Sequence, residues 1–440
     1  MKTAKKNIFA IGIGGSGLSG LARMLSEMGH HVSGSDSSPD NAKKQTLRKI
    51  GIEIYPTHDT SHIGKNIDEV IYSQAIPLTN PELKEAKRRK ITSITYPQAV
   101  GKYLKNKTKV CISGTHGKTT TTAMVASILL AAKKDPTVIV GSEVKELNNQ
   151  NEHLGTSHLA VIETCEYKKS FLDIPPDILI ITNIDFDHID YYKTKARYDA
   201  AFLKYMKMVP KTGAIIYLKG EKTVEKLLKK VKHPLAIPVE IEKIKMHIPG
   251  IHNQKNASLA LAVAKYLDVD PKVALKALLE FSGTKRRLEF IGKRGKTKIY
   301  DDYGHHPTEI KATLEAIREL YPKGKILTIF QPHQYSRTKA FLKDFATAFT
   351  QTDKVIIPNI YEARDTAKDK ASISVKKLVD AINGKKEVKA SDGISIEKTI
   401  SLCQKISSQF DVIITMGAGN INQVGVTLSE QIEMISRDIH

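Results

Sequence analysis

An α/β protein of three domains is what the sequence predicts. Apolar runs of strand length alternate with amphipathic stretches along the whole chain, the pattern that builds mostly parallel sheets. Two of those runs lead directly into glycine-rich turns that open a helix, at Gly12–Gly17 and at Gly114–Lys118. The length of 440 residues is about three times the ~150 residues of a common domain. The divisions fall at 1–106, 107–283 and 284–440, with Rossmann-like domains at the two ends and a phosphate-loop domain between them.

Bulk properties narrow the class. Hydrophobic residues make up 41% of the chain and charged residues 26%, enough apolar material for packed cores. The formal net charge of +21 raises the question of nucleic acid. The basic residues are scattered, as in Lys84–Lys90, Lys219–Lys232 and Lys368–Lys389, without an arginine-rich tail or basic–aromatic alternation. Nucleic acid is therefore not an expected partner. No apolar run reaches about 18 residues, so no membrane span is expected. The start, Met1-Lys2-Thr3-Ala4-Lys5-Lys6-Asn7, is basic but lacks the apolar core of a secretory signal. Cys111, Cys165 and Cys403 are odd in number and lack metal-ligand spacing. A cytoplasmic protein is expected.

In the first segment, Ile8-Phe9-Ala10-Ile11 reads as a buried strand, Leu18–Gly29 as an amphipathic helix and His31–Ser35 as a second strand. Gly12, Gly14, Gly15 and Gly17 stand at the turn of this βαβ start, where bare backbone approaches a diphosphate at a helix N-terminus. Asp36 ends the second strand, where an acid commonly holds a ribose hydroxyl. NAD, FAD and a nucleotide-sugar diphosphate share this geometry, and on these residues all three stay open.

In the second segment, the strand Val110–Ser113 runs into the loop Gly114–Thr122 and an apolar helix, Ala123–Ala132. A full phosphate-loop pattern has a glycine five residues before Gly117, and Ile112 stands there, so the match is partial. The physical logic holds: backbone N–H groups wrap phosphates, Lys118 brings a cation to the β/γ oxygens, and the Thr119 hydroxyl suits magnesium. ATP and Mg2+ are therefore expected. Glu166, beyond the strand Leu159–Glu163, and His188, beyond the strand Ile178–Thr182 in Asn183-Ile184-Asp185-Phe186-Asp187-His188, are candidates to hold the metal. A helix, Ala257–Tyr266, follows Gly250-Ile251-His252-Asn253.

In the third segment, strands are predicted at Lys298–Tyr300, Ile326–Phe330, Lys354–Ile357 and Val412–Thr415, with helices at Pro307–Leu320 and Lys339–Gln351. Two polar clusters follow strands here, Asp301-Asp302-Tyr303-Gly304-His305-His306-Pro307 and Gln331-Pro332-His333-Gln334-Tyr335-Ser336-Arg337. Pro307 fits a first helical turn, and the planar fork of Arg337 fits a carboxylate.

Taken in order, Gly114–Thr122, the loop ending at His188, His252-Asn253-Gln254-Lys255-Asn256 and Asp302–Pro307 resemble the Mur ligases of peptidoglycan precursor synthesis, most of all their alanine-adding members. The resemblance runs from about Ile8 to Gly419. It assigns Gly12–Gly20, Tyr72-Ser73-Gln74-Ala75-Ile76 and Asn80-Pro81-Glu82 to a uridine-diphosphate-binding domain, which sets NAD aside. The implied activity is an ATP-dependent amide ligase joining L-alanine to the lactyl carboxylate of UDP-N-acetylmuramate through an acyl phosphate. The alternative within the family is a recycling ligase that joins a ready-made peptide to the same nucleotide sugar. By the same resemblance, Gly12, Gly14, Gly15, Gly17, Ser35, Asp36, Ser73 and Ala75 face the UDP-sugar. Gly114, Thr115, His116, Gly117, Lys118, Thr119, Thr120 and Asn183, with His252, Asn253, Asn256 and Asp302, face ATP. Thr119, Glu166 and His188 hold magnesium, and Tyr303, His305 and Arg337 form the amino-acid pocket. Lys118, Glu166, His188 and His305 carry the catalytic roles.

Three departures qualify the resemblance. Phe202 stands where later-acting Mur ligases carry a carbamylated lysine, which alanine-adding members also lack. Cys165 and Lys168 replace acids common around Glu166. Gln334 replaces an arginine that many alanine-adding members place beside the amino-acid carboxylate, so one of two guanidinium partners is missing. Two readings from other classes account for less: a nucleic-acid motor leaves the polar clusters of the third segment idle, and an oxidoreductase leaves Lys118 and Thr119 idle.

Overall fold

The computed structural model describes residues 5–437, with side chains to Ser429, so Met1–Ala4 of the basic start lie outside the described residues. The chain forms two compact units. The first takes in the chain up to Asp185, Tyr198–Ile241 and Asn256–Phe281, and the second Phe186–Arg197, Glu242–Lys255 and the chain from Ser282 on.

The first unit carries two sheets. One holds β1 (Asn7–Ile11), β2 (His31–Ser35), β3 (Glu53–Tyr55), β4 (Glu69–Tyr72) and β5 (Thr92–Thr95), all parallel, in the order β3-β2-β1-β4-β5. Ile8, Phe9 and Ile11 are fully buried, because a parallel strand covered on both faces needs a continuous apolar run. The strand order reverses between β1 and β4, where open α/β sheets leave a crevice for ligands. Ile11 pairs with Tyr72 there, which brings Gly12 beside Ser73.

The other sheet holds β6 (Thr108–Ser113), β7 (Thr137–Val144), β8 (Gln150–His153), β9 (Leu159–Glu163), β10 (Ile178–Ile181), β11 (Ala214–Leu218) and β12 (Ala236–Val239). Its order is β12-β11-β10-β6-β9-β7-β8, and only the β7–β8 pair is antiparallel. β6 lies between β9 and β10, so the loops leaving these three strands converge at one edge. The helix after β6 runs from Lys118 to Ala131, and Thr119–Leu129 are all buried. A helix apolar all round is one enclosed on all sides.

The second unit carries β13 (Glu289–Arg294), β14 (Thr297–Asp302), β15 (Ile326–Phe330), β16 (Lys354–Ile357), β17 (Lys389–Asp392) and β18 (Val412–Met416) in the order β13-β14-β18-β15-β16-β17. Only the β13–β14 hairpin is antiparallel. Ile310, Leu314 and Ile317 of the helix Pro307–Leu320 pack with Phe330, Phe345 and Phe349 on one face. Ile421, Val424 and Leu428 pack with Ile299, Leu327 and Ile413 on the other. Among the described residues no helix is long and apolar enough to cross a membrane.

The three-domain α/β expectation holds, each segment building its own mostly parallel sheet. Three local expectations shift. The helix after the phosphate loop starts at Lys118 rather than Ala123, because Gly117 turns left-handed at φ 82° and the loop closes in four residues. The helix expected from Ala257 starts at Ile251, so His252, Asn253 and Asn256 lie within its first turns. The helix expected at Lys339–Gln351 is instead two short helices, Tyr335–Ala340 and Leu342–Phe345. The chain after them turns through i→i+3 bonds such as Thr347 N–H to Asp344 and Ala348 N–H to Phe345, which cannot extend an α-helix.

Candidate active site

In the first unit the phosphate loop is shaped by its neighbours. Gly114 takes φ 133°, and a Cβ there would lie 2.1 Å from the Thr182 hydroxyl. A Cβ on Gly117 would lie 2.5 Å from Asn256 Oδ1. Only glycine fits either position. Asn183 grips His116 from both sides: its Oδ1 accepts from His116 N–H at 3.0 Å, and its Nδ2 donates to His116 O at 3.0 Å. Thr115 Oγ1 donates to the Asp185 carbonyl at 2.6 Å and lies 2.8 Å from the Tyr198 hydroxyl. The loop is therefore pre-formed, with the first turn of a buried helix behind it to receive anionic oxygens.

Lys118 and Glu166 meet here. Lys118 Nζ lies 3.1 Å from Glu166 Oε2 and donates to the carbonyls of Gly114 at 2.6 Å and Thr115 at 2.9 Å. Burial disfavours its charge, but the Glu166 carboxylate outweighs burial and raises its pKa, so the ammonium persists. The Thr119 hydroxyl donates to Glu163 at 3.0 Å, and the other Glu163 oxygen accepts from Gly141 N–H at 2.6 Å. Hydroxyl and carboxylate oxygens are the hard donors that magnesium takes, so Thr119 and Glu166 fit that ion. His188 belongs to the second unit and sits at a left-handed φ of 53°. Phe202 is fully buried against Phe171 and Tyr198, as a core aromatic.

The glycine-rich turn of the first sheet is tied to its surroundings. Gly14 N–H donates to Asp36 Oδ2 at 2.8 Å, and Lys44 Nζ pairs with Asp36 Oδ1 at 3.0 Å. Burial opposes ionisation of Asp36, but hydrogen bonds from Ser38 and Lys44 outweigh it and lower its pKa. Ser35 Oγ donates to Glu82 Oε2 at 2.6 Å, and the same carboxylate takes His58 and His62, each at 2.8 Å. Gly17 is required by the Tyr96 ring, which a Cβ would approach to 2.8 Å. Ala75 N–H donates to Ser73 Oγ at 3.3 Å. Between these two residues, Gln74 is gripped by the segment that begins at Glu166. Lys168 Nζ donates to its carbonyl at 3.1 Å and Ser170 Oγ to its Oε1 at 2.7 Å.

In the second unit Arg337 and Asp187 form a buried forked pair, with Arg337 Nε and Nη2 at 3.0 and 2.9 Å from Asp187 Oδ1. Arg337 Nη1 donates to His333 Nδ1 at 3.1 Å. Burial pushes the His305 imidazole down to about 4, helped by the Arg337 charge, so the ring is neutral near neutral pH. His305 Nδ1 lies 3.1 Å from the Tyr303 carbonyl. A carbonyl only accepts, so the proton sits on Nδ1 and Nε2 keeps a lone pair. The Arg286 and Arg287 guanidinium groups lie 5.1 and 5.2 Å from the centre of the Tyr303 ring. Burial pushes Asp302 up to about 6, and it accepts from Gly304 N–H at 2.6 Å and Leu288 N–H at 2.7 Å. His252 is lowered to about 4 by burial and the charges of Lys255 and Arg287, and Asn253 Nδ2 donates to Pro249 O at 2.7 Å.

Sequence reasoning missed Glu163, Asp187 and the set of Glu82, His58 and His62 as polar partners of the candidate residues. Asp187 directly precedes His188, and Glu163 directly ends a strand, which is the signal each offered.

Comparison with known proteins agrees with this architecture. Residues 7–108 match the model for the Mur ligase family, catalytic domain; 112–237 match the Mur ligase middle domain; and 286–419 match the Mur ligase, glutamate ligase domain. The UDP-N-acetylmuramate–L-alanine ligase of Clostridium acetobutylicum is 38% identical, with 96% of each chain covered. That of Aquifex aeolicus is 37% identical over 95% of this chain and 96% of the relative. The solved UDP-N-acetylmuramate–alanine ligase of Thermotoga maritima superposes with a TM-score of 0.79 at 27% identity, covering 98% of this chain and all of that one. A murein peptide ligase from Psychrobacter arcticus shares the fold, with a TM-score of 0.71 at 22% identity over 96% of this chain and 98% of that one. With its sheets, its phosphate loop and relatives matched along nearly its whole length, the chain belongs to the Mur ligase family.

Proposed function

We propose that this chain is an ATP-dependent ligase that joins L-alanine to the lactyl carboxylate of UDP-N-acetylmuramate in peptidoglycan precursor synthesis, acting in the cytoplasm. Its relatives along the full length support the reaction. The observation that carries it is the grip of the segment beginning at Glu166 on Gln74. That grip ties the partner of the phosphate-loop lysine to the loop of Ser73 and Ala75, which we assign to the nucleotide sugar. The domain divisions at 1–106, 107–283 and 284–440 are kept for UDP-sugar, ATP and amino acid.

The roles follow from the chemistry of each residue. Gly12, Gly14, Gly15, Gly17, Ser35, Asp36, Ser73 and Ala75 hold the UDP-sugar. The backbone of Gly114–Thr120 cradles the ATP phosphates, steadied by Asn183, while Asn256, His252, Asn253 and Asp302 serve the rest of the nucleotide. Lys118 offsets the charge that builds as a carboxylate attacks a phosphate, two anions that otherwise repel. Thr119 and Glu166 hold magnesium, with His188 as a further ligand, and the bound ion supplies Lewis-acid polarisation of the phosphoryl oxygens. The lactyl carboxylate oxygen bonds to the γ-phosphorus and ADP leaves. The alanine nitrogen then attacks the acyl carbon and inorganic phosphate leaves. His305 Nε2, neutral and bearing a lone pair, accepts a hydrogen bond from that amine and aims it, while Tyr303 and Arg337 shape the amino-acid pocket.

The test is phosphate release with ATP, magnesium and UDP-N-acetylmuramate, scanned over L-alanine, L-serine, glycine and the tripeptide. Release strongest with L-alanine is expected. Stronger use of the tripeptide would move the chain to the recycling reaction.

A further inference from the structure

The helix after the glycine-rich turn of the first sheet, Ser16–Glu27, begins uncovered. Its N-cap, Gly15, provides no side-chain cap, and its first turn holds no acid. Gly15 and Ser16 are exposed. The first N–H groups of a helix have no partner within it and carry the positive end of its dipole. One side chain from elsewhere in the first unit reaches this turn. A Cβ on Gly17 would lie 2.8 Å from Tyr96 Cζ and 3.1 Å from the Tyr96 hydroxyl oxygen, so the phenol end of that ring rests on the glycine. Tyr96 is only partly buried, and among the described residues its hydroxyl has no hydrogen-bond partner. Burial, with the carboxylates of Glu163 and Glu152 nearby, holds its pKa above the ordinary tyrosine value, so the O–H keeps its proton.

Both partners of this contact are fixed. Tyr96 directly follows β5, at the sheet edge from which the glycine turn and Ser73 also leave. Thr95 and Gln98 close a capping box at the start of the helix Tyr96–Tyr103, and Pro97 presets its first turn. Further along that helix, a Cβ on Gly101 would lie 2.1 Å from the Asp173 carbonyl oxygen, so the helix lies close against the segment that begins at Glu166. The helix Ser16–Glu27 is held in turn by β8. Asn151 Nδ2 donates to the Ser16 carbonyl at 3.0 Å, and Arg23 pairs with Glu152. An O–H without an acceptor is thus set rigidly beside an uncapped helix start.

We propose that the Tyr96 hydroxyl donates a hydrogen bond to the diphosphate of the nucleotide sugar, completing from the side the cradle that the N–H groups of the glycine turn begin. The proposal rests on the reading of the first sheet as the UDP-sugar domain. Gly17 then has a second task besides baring its backbone: without a Cβ, it lets the phenol lie close enough to share the ligand of the turn.

The experiment compares the wild type with Tyr96→Phe, which keeps the ring on Gly17 and removes only the hydroxyl. Calorimetry, with the ATP site filled by excess ADP and magnesium, gives the Kd of UDP-N-acetylmuramate and of UDP, which carries the diphosphate and no sugar. Both should weaken by about 10- to 100-fold and by the same factor, the worth of a hydrogen bond to a charged group. In phosphate release the UDP-N-acetylmuramate KM should rise, while the KM values for ATP and L-alanine stay within about twofold. The thermal midpoint without ligand should not change, because no hydrogen bond of the free protein is lost. UDP binding that is unchanged while UDP-N-acetylmuramate weakens would move the contact from the diphosphate to the sugar and overturn the proposal. Two unchanged Kd values, or an equal rise in all three KM values with a lower thermal midpoint, would overturn it by leaving Tyr96 a packing residue. A wild type that binds neither ligand would instead remove the assignment of the first sheet, and the proposal with it.

Discussion

Lys118 Nζ stands 3.1 Å from the Glu166 carboxylate while it also caps two carbonyls of its own loop. The ammonium is thus held in place before any phosphate arrives, and its pairing keeps it charged despite burial. Lys118→Ala should lower ligation by about a thousandfold, the scale of losing a preorganised transition-state contact. Binding of UDP-N-acetylmuramate, measured by calorimetry, should persist. Equal loss of both would end the division of labour between the two sheets of the first unit.

Gly117→Ala should damage ATP use selectively. The new Cβ meets Asn256 Oδ1 at 2.5 Å, and φ 82° costs an alanine about 1 kcal/mol. The expected result is a raised ATP KM with an unchanged alanine KM, and the thermal midpoint should fall by a few degrees at most.

Asp187→Asn should be costly in another way. Breaking one half of a buried ion pair strands the Arg337 charge, a loss of about 3 kcal/mol or more, read as a lower denaturation midpoint. Burial opposes the charge of Asp187, but Arg337 outweighs it and holds the carboxyl well below the usual carboxylate range. A depressed carboxyl pKa contributes stability that is present above its unfolded value, near ~3.9, and is lost as pH falls below it. Wild type should therefore lose thermal stability below about pH 4 more steeply than Asp187→Asn does.

Asp302 titrates in the opposite sense, since burial raises it to about 6. If its ionised form takes the ATP ribose, the ATP KM should rise roughly tenfold between pH 7 and pH 5, as nine-tenths of the carboxylate becomes protonated. Asp302→Asn should flatten that profile, and an unchanged slope would remove Asp302 from the nucleotide site.

Much of this architecture is legible in the sequence. Strands such as Ile326–Phe330 and Leu159–Glu163 are bounded as the apolar runs suggest, because burial on both faces calls for a nearly continuous apolar run. The glycines at 114 and 117 declared the phosphate loop even with Ile112 out of pattern. Ile112 is a buried strand residue, and the turn simply begins two residues later. What stayed hidden were partners distant in sequence. Asp187 meets Arg337 across 150 positions, and Glu163 meets Thr119 across 44. No local period encodes such pairs, since they arise only when strand order brings loop ends together. The helix after Lys339 is broken although its apolar spacing suits a helix, because its hydrogen bonds close as tight turns.

Phe202 has a wider consequence. Its ring packs against Phe171 and Tyr198, and the Tyr198 hydroxyl in turn reaches Glu166 at 3.3 Å. By the resemblance to the family, this hydrocarbon stands where later-acting Mur ligases carry a lysine that must first combine with dissolved carbon dioxide. Catalysis by this chain should be indifferent to bicarbonate, running at full rate in degassed buffer.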